Sequence, residues 1–144
     1  MNRSTVMWAM VASAVAGLLV SAYLTYLSLL PPTSCPVGEF SIFSCNEVIY
    51  SEYAHFYGVS VALLGLGWFI VALGLIAFSW RYRRFIWTLV GWSLLGAAGV
   101  AGFVYTEIFL LESICLLCTA AHLAGLVVLA LSLVYVRAPS EKAV

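Results

Sequence analysis

Cys115-Leu-Leu-Cys118 sets two thiols one helical turn apart where the last long apolar run begins, and the only other cysteines are Cys35 and Cys45, ten residues apart in the longest polar gap. Three chemistries compete for such a set. Structural zinc wants four nitrogen or sulfur ligands closed around the ion. The Cys35–Cys45 spacing is too long for the usual paired ligands, so no metal is expected. A disulfide within CxxC closes a very small loop and stabilises little. A redox dithiol uses what the position offers, because the amides and dipole of a helix N-terminus favour the thiolate that attacks disulfides. Glu112 opposes that effect and Leu116-Leu117 adds no donor, so no extreme pKa shift is expected.

Thiol–disulfide exchange requires sulfur to reach sulfur directly. Cys35 and Cys45 lie where a soluble protein could meet them, whereas the CxxC pair begins at the edge of an apolar segment, so electrons passing between the two need a relay. Four cysteines allow three pairings. A Cys35–Cys45 plus Cys115–Cys118 state and a bridged Cys45–Cys115 state would be successive steps of one cycle; the alternative is a static staple in the loop.

The elements that must position these thiols are membrane helices. Of the 144 residues, 65% are hydrophobic and 8% charged, and the mean hydropathy is +1.10. So few charges cannot solvate a globular surface. The formal net charge of zero and the lack of a Lys/Arg block exclude a nucleic-acid footprint. A hydrocarbon core takes roughly 20 apolar residues per helix, and four stretches qualify: 6–30, 56–80, 85–106 and 113–136. Backbone polar groups in lipid must pair within the segment, so each is a helix. The expected fold is an all-α membrane protein, one domain over 1–144: a four-transmembrane-helix bundle. The first run is too long for the apolar part of a signal peptide and is expected to be retained.

All six cations (Arg3, Arg81, Arg83, Arg84, Arg137 and Lys142) fall on the side shared by both termini and the second–third helix turn. That bias places the termini in the cytoplasm. The loop 31–55 and the third–fourth helix turn then face outward, where disulfides persist, and all four cysteines go with them. Glu39, Glu47, Glu52, Glu107 and Glu112 fall on that outer side as well.

The external loop, Pro31 to His55, is much longer than a helix–helix link requires. The run Asn46 to Tyr53 alternates at helical spacing, which predicts a short amphipathic helix with Val48, Ile49 and Tyr53 toward lipid or bundle. His55 is expected to be a solvated interface residue. Gly96, Gly99 and Gly102, with Gly58, Gly65 and Gly74, are expected to let helix backbones approach.

Electrons on Cys115 and Cys118 need an outlet, and the chain carries no motif for haem, flavin or an iron–sulfur cluster. A membrane quinone fits the location and would meet Cys118, one turn deeper than Cys115. His122, four residues beyond Cys118, shares that helix face and is a candidate to orient the quinone or deliver a proton. A histidine packed quietly in the bundle is the bland alternative.

With these residues assembled, the chain resembles the vitamin K epoxide reductase family, in its prokaryotic, disulfide-forming branch. The resemblance runs from the first helix to the fourth. It rests on the loop cysteine pair, on Cys45-Asn-Glu-Val-Ile-Tyr-Ser51, on Phe56-Tyr-Gly58 and on Ile114-Cys-Leu-Leu-Cys118. It implies that Cys35 exchanges with an exported thioredoxin-like protein, that Cys45 passes electrons to Cys115, and that Cys118 reacts with a ubiquinone- or menaquinone-type acceptor. It also implies that Ser51 is the family's hydroxyl near the site. Many prokaryotic relatives carry a fused thioredoxin-like domain, and here that partner is expected to be separate. Ala54 stands where vertebrate members have asparagine and His122 where they have tyrosine; both fit a quinone better than the epoxide. The expected activity is thiol:quinone oxidoreduction in support of disulfide formation. The alternatives are an epoxide or quinone reductase supplying reduced quinone, and a non-enzymatic tetraspan scaffold with structural disulfides.

Overall fold

The computed structural model describes residues 2–31 and 44–138. Four long helices, α1 (Arg3–Ser28), α3 (Val61–Arg81), α4 (Phe85–Phe109) and α5 (Leu116–Arg137), are each long and apolar enough to cross a membrane. Each packs on the next, and α5 returns to α1, closing a four-helix ring. Their outward faces keep large apolar side chains exposed, among them Leu19, Ile70, Leu95 and Leu123. An apolar surface on every helix is what a bilayer would cover.

Side chains with backbone reach tie the bundle together where lipid offers no contrast between helices. Ser13 donates to the Ala124 carbonyl across α1 and α5 at 3.1 Å. Trp68 and Trp92 stack between α3 and α4, each indole N–H directed at the other residue's carbonyl. Arg3 bonds the carbonyl of Ala138, just past α5, and lies over the Tyr135 ring, so the start of α1 and the end of α5 meet at one end of the bundle. Arg81 and Arg137 sit in the last turns of their helices, where the helix dipole favours a cation.

The segment between α1 and α3 is not a single helix plus loop. A five-residue helix, α2 (Cys45–Ile49), is capped by Ser44, whose hydroxyl accepts the Glu47 N–H at 3.4 Å. A 3₁₀ turn over Glu52–Ala54 follows, then a hairpin of β1 (His55–Phe56) and β2 (Val59–Ser60). Val48 and Ile49 are buried, and Tyr53 lies beyond α2 in the 3₁₀ turn and is over half exposed. Both central residues of the hairpin turn, Tyr57 (φ 52°) and Gly58 (φ 82°), are left-handed, as a two-residue type I′ turn requires. Apolar character alone predicts a second span from residue 56; the hairpin delays α3 to Val61. His55 is exposed, on β1.

The glycine expectation holds only in part. A Cβ on Gly96 would fall 2.7 Å from the Trp68 ring, and one on Gly65 3.3 Å from the Ser21 hydroxyl, so these two are close approaches. Gly74, Gly99 and Gly102 face open space, and Gly58 serves the hairpin. The tightest approach lies at Gly17, where a Cβ would meet the Phe69 ring at 2.2 Å. Three-residue spacing identifies a face, and only the partner helix decides which residue on it is touched.

Candidate active site

Two cores stack along the bundle. The larger joins Met10, Phe69, Ile76, Leu89 and Val128. The smaller gathers Leu24 and Leu27 of α1, Cys45, Val48 and Ile49 of α2, and Cys115. A helix as short as α2 is not stable alone, and here three contacts hold it. Val48 and Ile49 insert among the α1 leucines. The Tyr50 hydroxyl sits between the carbonyls of Leu27 (2.8 Å) and Leu30 at the free C-terminal end of α1. The Ser113 hydroxyl donates to the Glu47 carboxylate across 66 positions of sequence. Cys45 is buried as a result.

Cys115 arrives from the opposite side. The turn out of α4 is closed by the Ser113 N–H on the Glu107 carbonyl at 3.2 Å, with Glu112 left-handed at φ 50°. Cys115 is the N-cap of α5, and its sulfur accepts the Cys118 N–H at 3.2 Å. Its Sγ lies 2.6 Å from Cys118 Sγ and 3.4 Å from Cys45 Sγ, with no surface exposed to solvent. One sulfur thus touches both possible exchange partners. The thiol follows neither the helix-terminus preference for thiolate nor the expectation of a small shift. The hydrogen bond with Cys118 and burial raise its pKa well above the ordinary thiol range, outweighing the Cys118 N–H and the Cys45 contact, which lower it.

Behind the CxxC pair lies a cavity of about 270 Å³, bounded by all four long helices and by the α2 region. Its walls are mainly apolar, including Leu24, Ile49, Trp68, Phe69, Val100 and Phe103, and Cys118, His122, Ser51 and Glu107 also line it. His122 stacks on Phe103 with ring centroids 6.1 Å apart, and its buried Nδ1 has no hydrogen-bond partner among the described residues. The Ser51 hydroxyl donates to the Val48 carbonyl at 2.9 Å.

The sequence model of the vitamin K epoxide reductase family matches residues 8–133. The chain belongs to that family. No curated protein matches it. Membership makes the chain a multi-pass membrane oxidoreductase.

Within this vitamin K epoxide reductase family chain, the fold brings together five of the six residues singled out from sequence: Cys45, Cys115, Cys118, Ser51 and His122. Cys35 lies outside the described residues. Two residues of the site are not apparent from the sequence. Ser113 falls inside the expected fourth span, yet it is a turn residue whose hydroxyl reaches α2. Glu107 is expected among the external acids, but α4 continues to Phe109 and buries it. A signal for Glu107 was present: Val100, Phe103 and Glu107 follow the spacing of one helix face, and all three line the cavity.

Proposed function

We propose that this member of the vitamin K epoxide reductase family is a thiol:quinone oxidoreductase that reoxidises an exported thioredoxin-like protein and so sustains disulfide formation. In this reading the protein is one membrane domain with cytoplasmic termini, as the Lys/Arg distribution favours, and its cysteines work at the external face. The partner's dithiol reduces a Cys35–Cys45 disulfide through a mixed disulfide, leaving the partner oxidised. The freed Cys45 thiolate attacks the Cys115 sulfur of a Cys115–Cys118 disulfide and expels Cys118 as thiolate. Cys35 then attacks Cys45, re-forms the loop disulfide and releases Cys115. Two electrons now reside on the CxxC dithiol.

The observation that carries this reading is the position of the Cys115 sulfur, in reach of both Cys45 and Cys118. A relay needs one atom that can bond alternately to two others, and a static staple does not. A quinone at the cavity would supply a two-electron, two-proton acceptor. The cavity suits such a head group, since about 150 Å³ already holds a benzene ring, and its walls are apolar. The unpartnered Nδ1 of His122 offers a polar contact to a carbonyl or hydroxyl oxygen there. Cys118, on the cavity wall, is the sulfur that faces the acceptor, and Ser51 borders it from the loop side.

Purified protein, a reduced thioredoxin-like protein and a soluble quinone analogue test the proposal. Quinone absorbance should fall at the rate at which partner thiols disappear, and Cys118→Ala should abolish both while the protein remains folded. Undiminished turnover in Cys118→Ala would sink it. Turnover of quinone epoxide in preference to quinone would assign the chain to the reductive branch instead.

A further inference from the structure

Oxidising the Cys115–Cys118 dithiol to a disulfide releases two electrons and two protons, and a quinone that becomes a hydroquinone takes up both pairs. The two thiols are not equally placed to give up their protons. Cys118 lines the cavity and can pass its proton directly to a molecule held there. Cys115 has no exposed surface and is not part of the cavity wall. Cys118 touches both Cys115 and the cavity, but its sulfur is the one being bonded as the disulfide forms, so the Cys115 proton needs a second group that reaches both.

Glu107 meets that requirement. It is the only buried acid among the described residues, at 6% exposure; Glu47, Glu52 and Glu112 are all exposed. Its carboxylate accepts a hydrogen bond from the backbone of Cys115, and its own carbonyl accepts the Ser113 N–H that closes the same turn. Its side chain lines the cavity together with Cys118 and His122. An ionisable group inside a membrane bundle is expensive to keep unless it does chemistry. Neither the four-cysteine relay nor a quinone contact at His122 uses it.

We propose that Glu107 carries the Cys115 proton to the acceptor cavity. This rests on the thiol:quinone reading above. As the Cys115–Cys118 bond forms, the carboxylate takes the proton from the Cys115 thiol, both electrons leave with the acceptor, and Glu107 hands the proton to the acceptor's oxygen. It ends in the charge state in which it began. The other titratable groups facing the cavity are Cys118 and His122 of α5 and Tyr53 of the 3₁₀ turn; Cys118 bonds Cys115 but is consumed as its disulfide partner, and among the described residues neither His122 nor Tyr53 contacts Cys115 as Glu107 does.

The test uses the full-length protein in detergent, dithiothreitol as donor and a short-tailed quinone analogue, so it does not depend on the protein partner. Glu107→Gln keeps the shape and the oxygen that accepts from Cys115. A proton carrier predicts a fall in kcat of about a hundredfold, the lower end for general acid–base groups, with KM for the quinone within about threefold of the parent. Glu107→Asp, which keeps the acid, should recover much of the rate but shift the pH profile of kcat. Should the Gln variant fail to fold, the Asp variant alone decides through that profile. A Gln variant with the parent's kcat, a loss confined to KM, or an Asp variant with an unmoved pH profile overturns the proposal. A parent protein that does not reduce the quinone at all overturns the thiol:quinone reading and this proposal with it; an active parent with an unaffected Gln variant overturns only this one.

Discussion

Ser113 donates a hydrogen bond to Glu47, and this one contact ties the helix that carries Cys45 to the turn that delivers Cys115. It acts beside the two apolar side chains of α2 and the Tyr50 hydroxyl, which fasten that helix to α1. Ser113→Ala removes the donor but leaves Glu47 exposed, so water can solvate the carboxylate and global stability should change by under about 1 kcal/mol. The Cys45–Cys115 approach should loosen. A hydrogen bond of about 1 kcal/mol corresponds to about a fivefold slower exchange. Stopped-flow reduction of the Cys115–Cys118 disulfide through the loop pair measures this directly; an unchanged rate would show that the contact does not position the sulfurs.

The Cys45–Cys115 proximity of 3.4 Å predicts a trapped intermediate. In Cys118→Ala the resolving thiol is missing, so mild oxidation should accumulate a Cys45–Cys115 disulfide, identified by mass spectrometry of non-reduced peptides. A predominance of any other bridge involving Cys115 would contradict the relay.

Cys115 should titrate out of step with an ordinary thiol. Its pKa is raised, first by the hydrogen bond with Cys118 and then by burial. In the reduced, folded protein it should therefore resist iodoacetamide at pH 9, where a free thiol of pKa about 8.5 is mostly thiolate. The folded state holds this proton more tightly than the unfolded state. That contribution to stability is complete below the ordinary thiol pKa and is lost as pH rises above it, so the reduced protein should melt at lower temperature at pH 10 than at pH 8. Removing the first cause with Cys118→Ala should raise Cys115 alkylation at pH 9.

Gly17→Ala should be the costliest of the helix glycine substitutions. The new Cβ would lie within 2.2–2.8 Å of three Phe69 ring atoms, and overpacking of this kind costs about 1–3 kcal/mol. Phe69→Leu in the same chain should recover part of the loss. Gly74→Ala, facing open space, should stay within about 1 kcal/mol of the parent. Thermal unfolding in detergent ranks the three, and equal losses at Gly17 and Gly74 would remove the packing explanation.

Sequence alone determined the class and pointed to the chemistry. Charge-free runs with every backbone group paired inside them have one solution in lipid, so four helices followed from composition and length. Four cysteines with no other redox motif pointed to thiol exchange, and Phe56-Tyr-Gly58, with Ile114-Cys-Leu-Leu-Cys118, carried the family resemblance. Helix ends were less legible. Hydropathy does not distinguish an apolar hairpin at 55–60 from helix, nor does it register that α4 runs past a glutamate whose side chain can turn inward.

The tertiary structure decided what touches what. Cys45 and Cys115 are 70 positions apart, and nothing local to either requires them to meet. Their contact exists because Tyr50, Val48 and Ile49 fasten α2 onto α1, and α1 packs against α5. In the same way Glu107 became part of the site only when α4 and α5 closed around one cavity. Helical periodicity sets the direction in which a side chain points. The packing of a second helix sets whether it meets lipid, a neighbour or a cavity, and for the Cys115 sulfur it sets both of its partners.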